Sequence, residues 1–307
     1  MRRKIREVIK EDKEEKDSLL NEIKYKSQAA MEYLMTYGWA ILIIALTLGV
    51  LYSLGIVNPK NFIPRAPPGS CFVFRPNGPG TTDFVSLQGT CGYLPMYVAS
   101  FNGVNGYITV PYVPQFNIGY TGKLTIAFWG ASTVSSRTSW GGVVTKNRES
   151  SSVSSWYGVW LSPSNPTYWH FRFSTVTSNT VPAIVNKWYF IVIVMNTSQA
   201  IGYINGVKVI TLSATATDDT YPLYIGRAGG VSEFMNGTIA NVQIYNVALS
   251  DQEVQYLYQE GLGGGPIRLG SLVGWWPLNG DAKDYSGNNN HGTINGGVTF
   301  VQNYNPS

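Results

Sequence analysis

FMNGTIANVQIYNVALS, Phe234–Ser250, reads as a strand that runs through a turn and delivers the chain to a helix start. Ser250-Asp251-Gln252-Glu253 is a capping box, in which a serine hydroxyl accepts from the backbone three residues on and a glutamate reaches back to the serine. Val254, Leu257 and Tyr258 continue it with an apolar stripe at helical spacing, and Gly261 predicts a left-handed cap. This helix is short, and its surroundings read as β. Leu124–Trp129 alternates, whereas Trp188–Met195 is apolar on both faces, as a strand covered on both sides must be. Ala200–Ile204 and Val207–Ile210 flank Asn205-Gly206, a strong hairpin signal. From Ser70 onward, short runs of this kind bounded by Gly, Asn, Pro and Ser predict a β-sandwich or jelly roll.

Composition agrees. The 307 residues are only 13% charged but hold 33 glycines, 20 tyrosines and 9 tryptophans, a balance that suits short strands joined by turns. The length accommodates one domain of about 200 to 250 residues and a short accessory segment. The net charge is +4, and the basic residues do not cluster beyond the first 30 positions, so nucleic acid is not an expected partner.

The accessory segment is N-terminal. Residues 1–27 mix acidic and basic side chains in the manner of a solvated cytoplasmic leader. Residues 28–57 are almost wholly apolar, broken by Glu32, and Asn58-Pro59 stops any helix. About 27 residues at the helical rise give roughly 40 Å, enough to span a bilayer, and the upstream basic flank keeps the start inside. Residues 58–69 contain Pro59, Pro64, Pro67 and Pro68 and predict a stiff spacer. Residues 70–307 form the exported domain, where Cys71 and Cys91 are expected to be bridged.

Around the start of the apolar run, Lys24-Tyr25-Lys26-Ser27-Gln28-Ala29-Ala30-Met31-Glu32-Tyr33 resembles the class III leader junction of archaeal type IV pilins, and Leu34–Ile41 looks like the same family's helix. The resemblance implies cleavage between Ser27 and Gln28 by a prepilin peptidase-like enzyme. Ser27 departs from the family's usual glycine or alanine at that place. It also implies an assembly role for Glu32, whose carboxylate would meet the α-amino group of an identical or related subunit in a filament. Glu32 at the headgroup level of a simple signal anchor is the alternative, since a carboxylate costs little there.

The exported domain resembles the LamG-like, concanavalin A-like lectin family over roughly Ala99–Gly261. Phe101–Ile108, Leu124–Trp129, Trp188 to the Asn205-Gly206 hairpin, Tyr224–Arg227 and Phe234–Ser250 carry the likeness by their order. The fold expected is therefore mainly β, a concanavalin A-like jelly-roll sandwich preceded by one transmembrane, pilin-like helix. The tail departs from the family's order: Leu272–Gly280 and Asp284–Gly292, within 272–301, look like the segment that normally opens such a domain. Circular permutation, donation of the strand to a neighbouring subunit, and the start of a second repeat would each explain it.

For Asp284, Asn288 and Asn290 the resemblance implies a structural calcium, with a plain Asx-rich turn as the alternative. Glu149, Asp218, Asp219 and Glu233 lie in turn-like contexts, with no carboxylate two residues away on a strand to make a glycosidase pair, so no enzyme is expected. His170 reads as an ordinary strand residue. Trp140, Trp156, Trp160 and Trp169 are the candidate sugar-binding rings, with at least two expected in the core. Asn196 and Asn236 head glycosylation sequons. Together these readings predict a cell-surface, adhesin-like protein that displays a lectin-like head to glycans or surface proteins, anchored in the membrane or assembled into a pilus. A monomeric anchored lectin and an extracellular glycoside hydrolase are the alternatives.

Overall fold

The computed structural model describes residues 2–53, 69–82, 84–146, 157–229 and 232–302, with the side chains of the N-terminal helix described in part. Two compact units result, residues 1–62 and 63–307. The described residues of the first form one helix, α1 (Arg2–Ser53). Within it, Trp39 and Ile41–Ile44 are exposed apolar residues, as are Leu46, Leu48 and Val50. Among the described residues no helix is long and apolar enough to cross a membrane. That differs from the expected spanning segment, whose residues 54–57 and several of whose side chains lie outside those described, as does nearly all of the 58–69 spacer.

The second unit is the expected sandwich. A small hairpin comes first, β1 (Cys71–Phe74) and β2 (Ser86–Gly89). Then follow β3 (Val98–Asn102), β4 (Tyr107–Val110), a single turn α2 (Ile118–Thr121), β5 (Lys123–Ser132), β6 (Gly141–Lys146) and β7 (Tyr157–Leu161). The middle of the domain supplies β8 (Tyr168–Phe173), β9 (Val176–Pro182), β10 (Tyr189–Asn196), β11 (Gln199–Ile204) and β12 (Val207–Ser213). Three short strands, β13 (Leu223–Ile225), β14 (Arg227–Ala228) and β15 (Glu233–Phe234), precede the long β16 (Asn236–Tyr245) and helix α3 (Asp251–Glu260). The tail adds β17 (Leu272–Trp276), β18 (Thr293–Asn295) and β19 (Thr299–Val301).

The back sheet runs β12-β11-β10-β5-β16-β3-β19, with β17 also on β16. The front sheet runs β18-β4-β13-β6-β7-β8-β9, and β15 joins β14 to β6. Their facing sides make the main core, which includes Phe101, Phe128, Trp169, Phe171 and Trp276. The back sheet is covered on its other side as well, by α3 and the segments around it. Strand β10 shows the consequence. Ile191, Ile193 and Met195 enter the core between the sheets, while Phe190, Val192 and Val194 pack against the outer layer, which is why this strand is apolar throughout.

Local signals are met closely. Asn205 and Gly206 take φ of 52° and 78°, the left-handed pair that a two-residue hairpin turn requires. The α3 capping box is formed, with Ser250 Oγ accepting from Glu253 N and the Ser250 N–H donating to Glu253 Oε2. Gly261 departs from the expected cap. Its φ of 78° is positive, but its ψ of −169° is extended rather than left-handed helical, a conformation essentially restricted to glycine. The Cys71–Cys91 disulfide is formed and staples the strand ends of the β1–β2 hairpin.

The tail closes its own sandwich. β17 pairs with β16 over Val242–Tyr245, while β3 pairs with Asn236–Ile239 of the same strand, so the two lie end to end along one edge. β18 pairs with β4 and β19 with β3. Trp276, wholly buried, packs against Phe116 at 6.3 Å.

Candidate ligand-binding face and cleft

The outer side of the front sheet is set by alternation. In Tyr168-Trp169-His170-Phe171-Arg172-Phe173, Trp169, Phe171 and Phe173 enter the core, so Tyr168, His170 and Arg172 point the other way. On β7, Tyr157, Val159 and Leu161 enter the core, leaving Trp160 on the outer side opposite His170. Trp140, at the end of the β5–β6 loop, lays its ring 4.4 Å from the His170 ring. His170 Nδ1 hydrogen-bonds to Asn179 Oδ1 at 2.7 Å, and the Trp160 indole N–H donates to Glu233 Oε2 at 3.2 Å. Burial holds the His170 imidazole below its ordinary pKa; the Asn179 bond opposes this and the Arg172 charge adds to it. His170 is therefore neutral at pH 7. Trp140, Trp160, His170, Arg172 and Glu233 enclose a niche of only about 20 Å³, room for little more than one water.

Beside this niche the face opens into a cleft of about 430 Å³, within the range of small-ligand sites. Ser136, Arg137, Thr138, Ser139, Asn165 and Asn236 are among its lining residues, a set of hydroxyl, amide and guanidinium groups. Two loops build it, 133–140 and 162–167, and they are tied together: Thr167 N–H donates to Ser135 O at 2.9 Å and Arg137 N–H to Ser164 O at 3.2 Å. The Arg137 guanidinium donates to Phe234 O at 2.6 Å and to Ser139 O at 3.1 Å, pinning the first loop to β15. On the other flank of the face, the Arg227 guanidinium lies 4.7 Å from the Tyr107 ring, 5.4 Å from Phe234 and 5.7 Å from Tyr224.

The four tryptophans anticipated as sugar-binding rings thus separate. Trp140 is half-buried and lines the small niche with Trp160, which belongs to the outer face and is only 3% exposed. Trp169 is wholly buried between the sheets, which removes it as a ligand contact. Trp156 lies outside the described residues, as does Glu149. Glu233 lies in a short strand rather than a turn and faces Trp160. Arg137, Arg227, Tyr107 and His170 were not singled out for this face. The alternation of Tyr168–Phe173 carries the signal for His170, whereas loop residues such as Arg137 have no period to reveal them.

Asp284, Asn288 and Asn290 come together, but as a hydrogen-bonded turn. Asp284 Oδ1 accepts from the N–H groups of Trp275 and Ser286, and Oδ2 from Ser286 Oγ and the Asn290 N–H. The Asn288 and Asn290 amide nitrogens donate to Val273 O, and Asn288 Oδ1 accepts from Gly80 N–H. A calcium ion needs six to eight oxygens, and here the carboxylate is already shared among four donors while the two amides present nitrogen. The donor set does not fit the ion. Among the described residues no group of three or more His, Cys, Asp or Glu side chains is placed to hold a metal. Asn288 and Asn290 also line a cavity of about 270 Å³ with Arg75, Gln115, Tyr120 and Asn246. Arg75 spends its guanidinium on backbone carbonyls, including Ser286 O at 2.7 Å and Leu272 O at 2.8 Å, so it ties the hairpin to the tail.

Comparison with solved structures finds likenesses at low sequence identity. A Bacteroides ovatus protein, a candidate carbohydrate-binding protein, aligns at 15% identity with a TM-score of 0.52, covering 71% of this chain and 63% of its own. A heptameric pentraxin from Limulus polyphemus aligns at 13% identity and TM-score 0.47, over 68% of this chain and 95% of its own. A sialidase from Trypanosoma rangeli aligns at 20% identity and TM-score 0.43, over 53% of this chain and 28% of its own. This chain thus spans less than two thirds of the Bacteroides protein and about a quarter of the sialidase. No curated protein matches the chain. A laminin G family model, described as concanavalin A-like lectin/glucanases superfamily, matches residues 102–255. That match spans half of the chain, from the end of β3 into α3, and the chain belongs to the concanavalin A-like lectin/glucanases superfamily.

Proposed function

We propose that this protein is a surface-displayed, glycan-binding subunit in which the lectin-like domain reads a carbohydrate at the cleft built by the 133–140 and 162–167 loops. The observation that carries the reading is that cleft: Ser, Thr, Asn and Arg groups line it, the hydrogen-bonding set that sugar hydroxyls require. Arg137, fixed by Phe234 O and Ser139 O, is held in place before any ligand arrives, so little ordering cost falls on binding. The Bacteroides neighbour's description as a candidate carbohydrate-binding protein agrees with this reading.

We also propose that the N-terminal region anchors the domain. The apolar run within residues 28–57, the basic flank upstream and the Ser27-Gln28 junction support export, processing by a prepilin peptidase-like enzyme and insertion of the helix in the membrane or a pilus-like filament. Ser27 and Gln28 are exposed on α1, and Ser27 Oγ donates to Lys24 O. Glu32 would then pair with the mature amino terminus of a neighbouring subunit. Mass spectrometry of the mature chain tests the junction: a new terminus at Gln28 is expected, and an intact Met1 would remove the pilin-type reading. A glycan array with residues 70–307 tests the head. Binding that Arg137→Ala and Thr138→Ala weaken is expected, whereas silence across broad panels, or hydrolysis of the arrayed glycosides, would overturn it.

A further inference from the structure

Two stretches of the sandwich carry the Asn-x-Ser/Thr pattern, and the fold treats them oppositely. Asn196 ends β10, and Thr197 and Ser198 form the exposed turn into β11. Asn196 Oδ1 accepts three hydrogen bonds there, from Ser198 N–H at 2.9 Å, Ser198 Oγ at 3.2 Å and Gln199 N–H at 2.8 Å. All three fall on the carboxamide oxygen. Asn196 is half-buried and its neighbours Thr197 and Ser198 are exposed, so the turn is reachable from solvent. Donation to the oxygen polarises the amide and makes its N–H protons more acidic, the change an amide needs before its weakly nucleophilic nitrogen can be alkylated.

Asn236 is held differently. It opens β16, opposite Asn102 of β3, and its Oδ1 accepts from Thr133 Oγ1 at 2.6 Å. Its side chain is wedged so closely on Gly103 that a Cβ there would lie 2.8 Å from the Asn236 Cβ. Thr238 lies two residues further along the extended strand β16 rather than in a turn. Asn236 also lines the proposed ligand cleft, so a glycan on it would fill that cleft.

We propose that Asn196, and not Asn236, is an N-glycosylation site that takes its oligosaccharide from a polyprenyl-phosphate-linked donor. The Asn196 nitrogen attacks the anomeric carbon, a C–N bond forms, and the C–O bond to the phosphate breaks with its electron pair leaving on the phosphate. One amide proton passes to solvent base or the departing phosphate, and nothing is oxidised or reduced. This rests on the export proposed above, because the donor is used on the exported side of the membrane.

The test is peptide mass spectrometry of the full chain from its source cells, alongside Ser198→Ala and Ser198→Thr versions and protease shaving of intact cells. A glycan on the Asn196 peptide, lost in Ser198→Ala, retained in Ser198→Thr, with Asn236 bare, is expected. A bare Asn196 on a chain that shaving removes overturns the modification alone. A bare Asn196 on a chain protected inside the cell overturns it together with the export. A glycan on Asn236 overturns the discrimination.

Discussion

Asn241 shows how much one residue can organise. It sits at the β16–β5 bulge with φ of 53° and is 6% exposed. Its Nδ2 donates to Gly264 O, while its Oδ1 accepts from Gln243 Nε2 and from the Trp275 indole N–H at 2.7 Å. Gln243 Oε1 in turn accepts from Tyr245 O–H at 2.6 Å, and burial pushes the Tyr245 phenol well above its ordinary value, so it stays protonated as a donor. Asn241→Ala leaves three buried groups without partners, and a loss of about 2–4 kcal/mol is expected in urea unfolding of the ectodomain. His170 gives a pH signature. Its pKa is depressed in the folded state, so the unfolded chain takes up its proton first as pH falls. Stability should decline as pH drops through about 6.5 toward the lower folded value, and His170→Gln should flatten that part of the curve. At the cleft, Arg137→Ala should weaken glycan binding about tenfold or more by titration, with the fold unchanged by circular dichroism.

Among the elements, the β1–β2 hairpin has few contacts of its own and relies on its attachments. Val73 enters the outer core and its N–H donates to Tyr285 O at 2.7 Å, Arg75 reaches the tail, and the Cys71–Cys91 bridge closes a 20-residue separation. Converting both cysteines to serine should cost about 3 kcal/mol in chemical denaturation, chiefly by freeing that loop in the unfolded chain. Helix α3 was legible to the residue because its start signal is local: the capping box, Val254 and Leu257 are where spacing put them. Its end was not. Gly261 was recognised as a glycine-only position, but which positive-φ basin it takes depends on how Leu262 turns into the outer core, a contact no local pattern encodes. On β8 the alternation held the answer for Trp169, since a residue flanked by outward Tyr168 and His170 must point inward.

For the whole molecule, the tail matters most. Val273, Trp275, Trp276 and Leu278 are each under 5% exposed, and the Trp276 indole N–H donates to Asn290 O at 2.9 Å. Ending the chain before Leu272 should leave no cooperative unfolding transition, because the core loses two large aromatics, each worth about 3–5 kcal/mol. A rearranged domain with residues 270–302 placed ahead of Val98 should unfold cooperatively, since the order of the segments changes while their contacts need not.

By itself the sequence determined the sandwich, the hairpin, the disulfide pair and the capped helix. Each rests on local periodicity, turn chemistry or the scarcity of cysteine, which short stretches express without help from the rest of the chain. Only the tertiary structure decided that the tail completes its own sheets, that Asp284 is spent on four hydrogen-bond donors, and that Trp140 lies against His170 on the outer face while Trp169 is buried. Those outcomes depend on which distant segments pack against each residue, and packing between residues far apart in the chain leaves no mark in the spacing of neighbours.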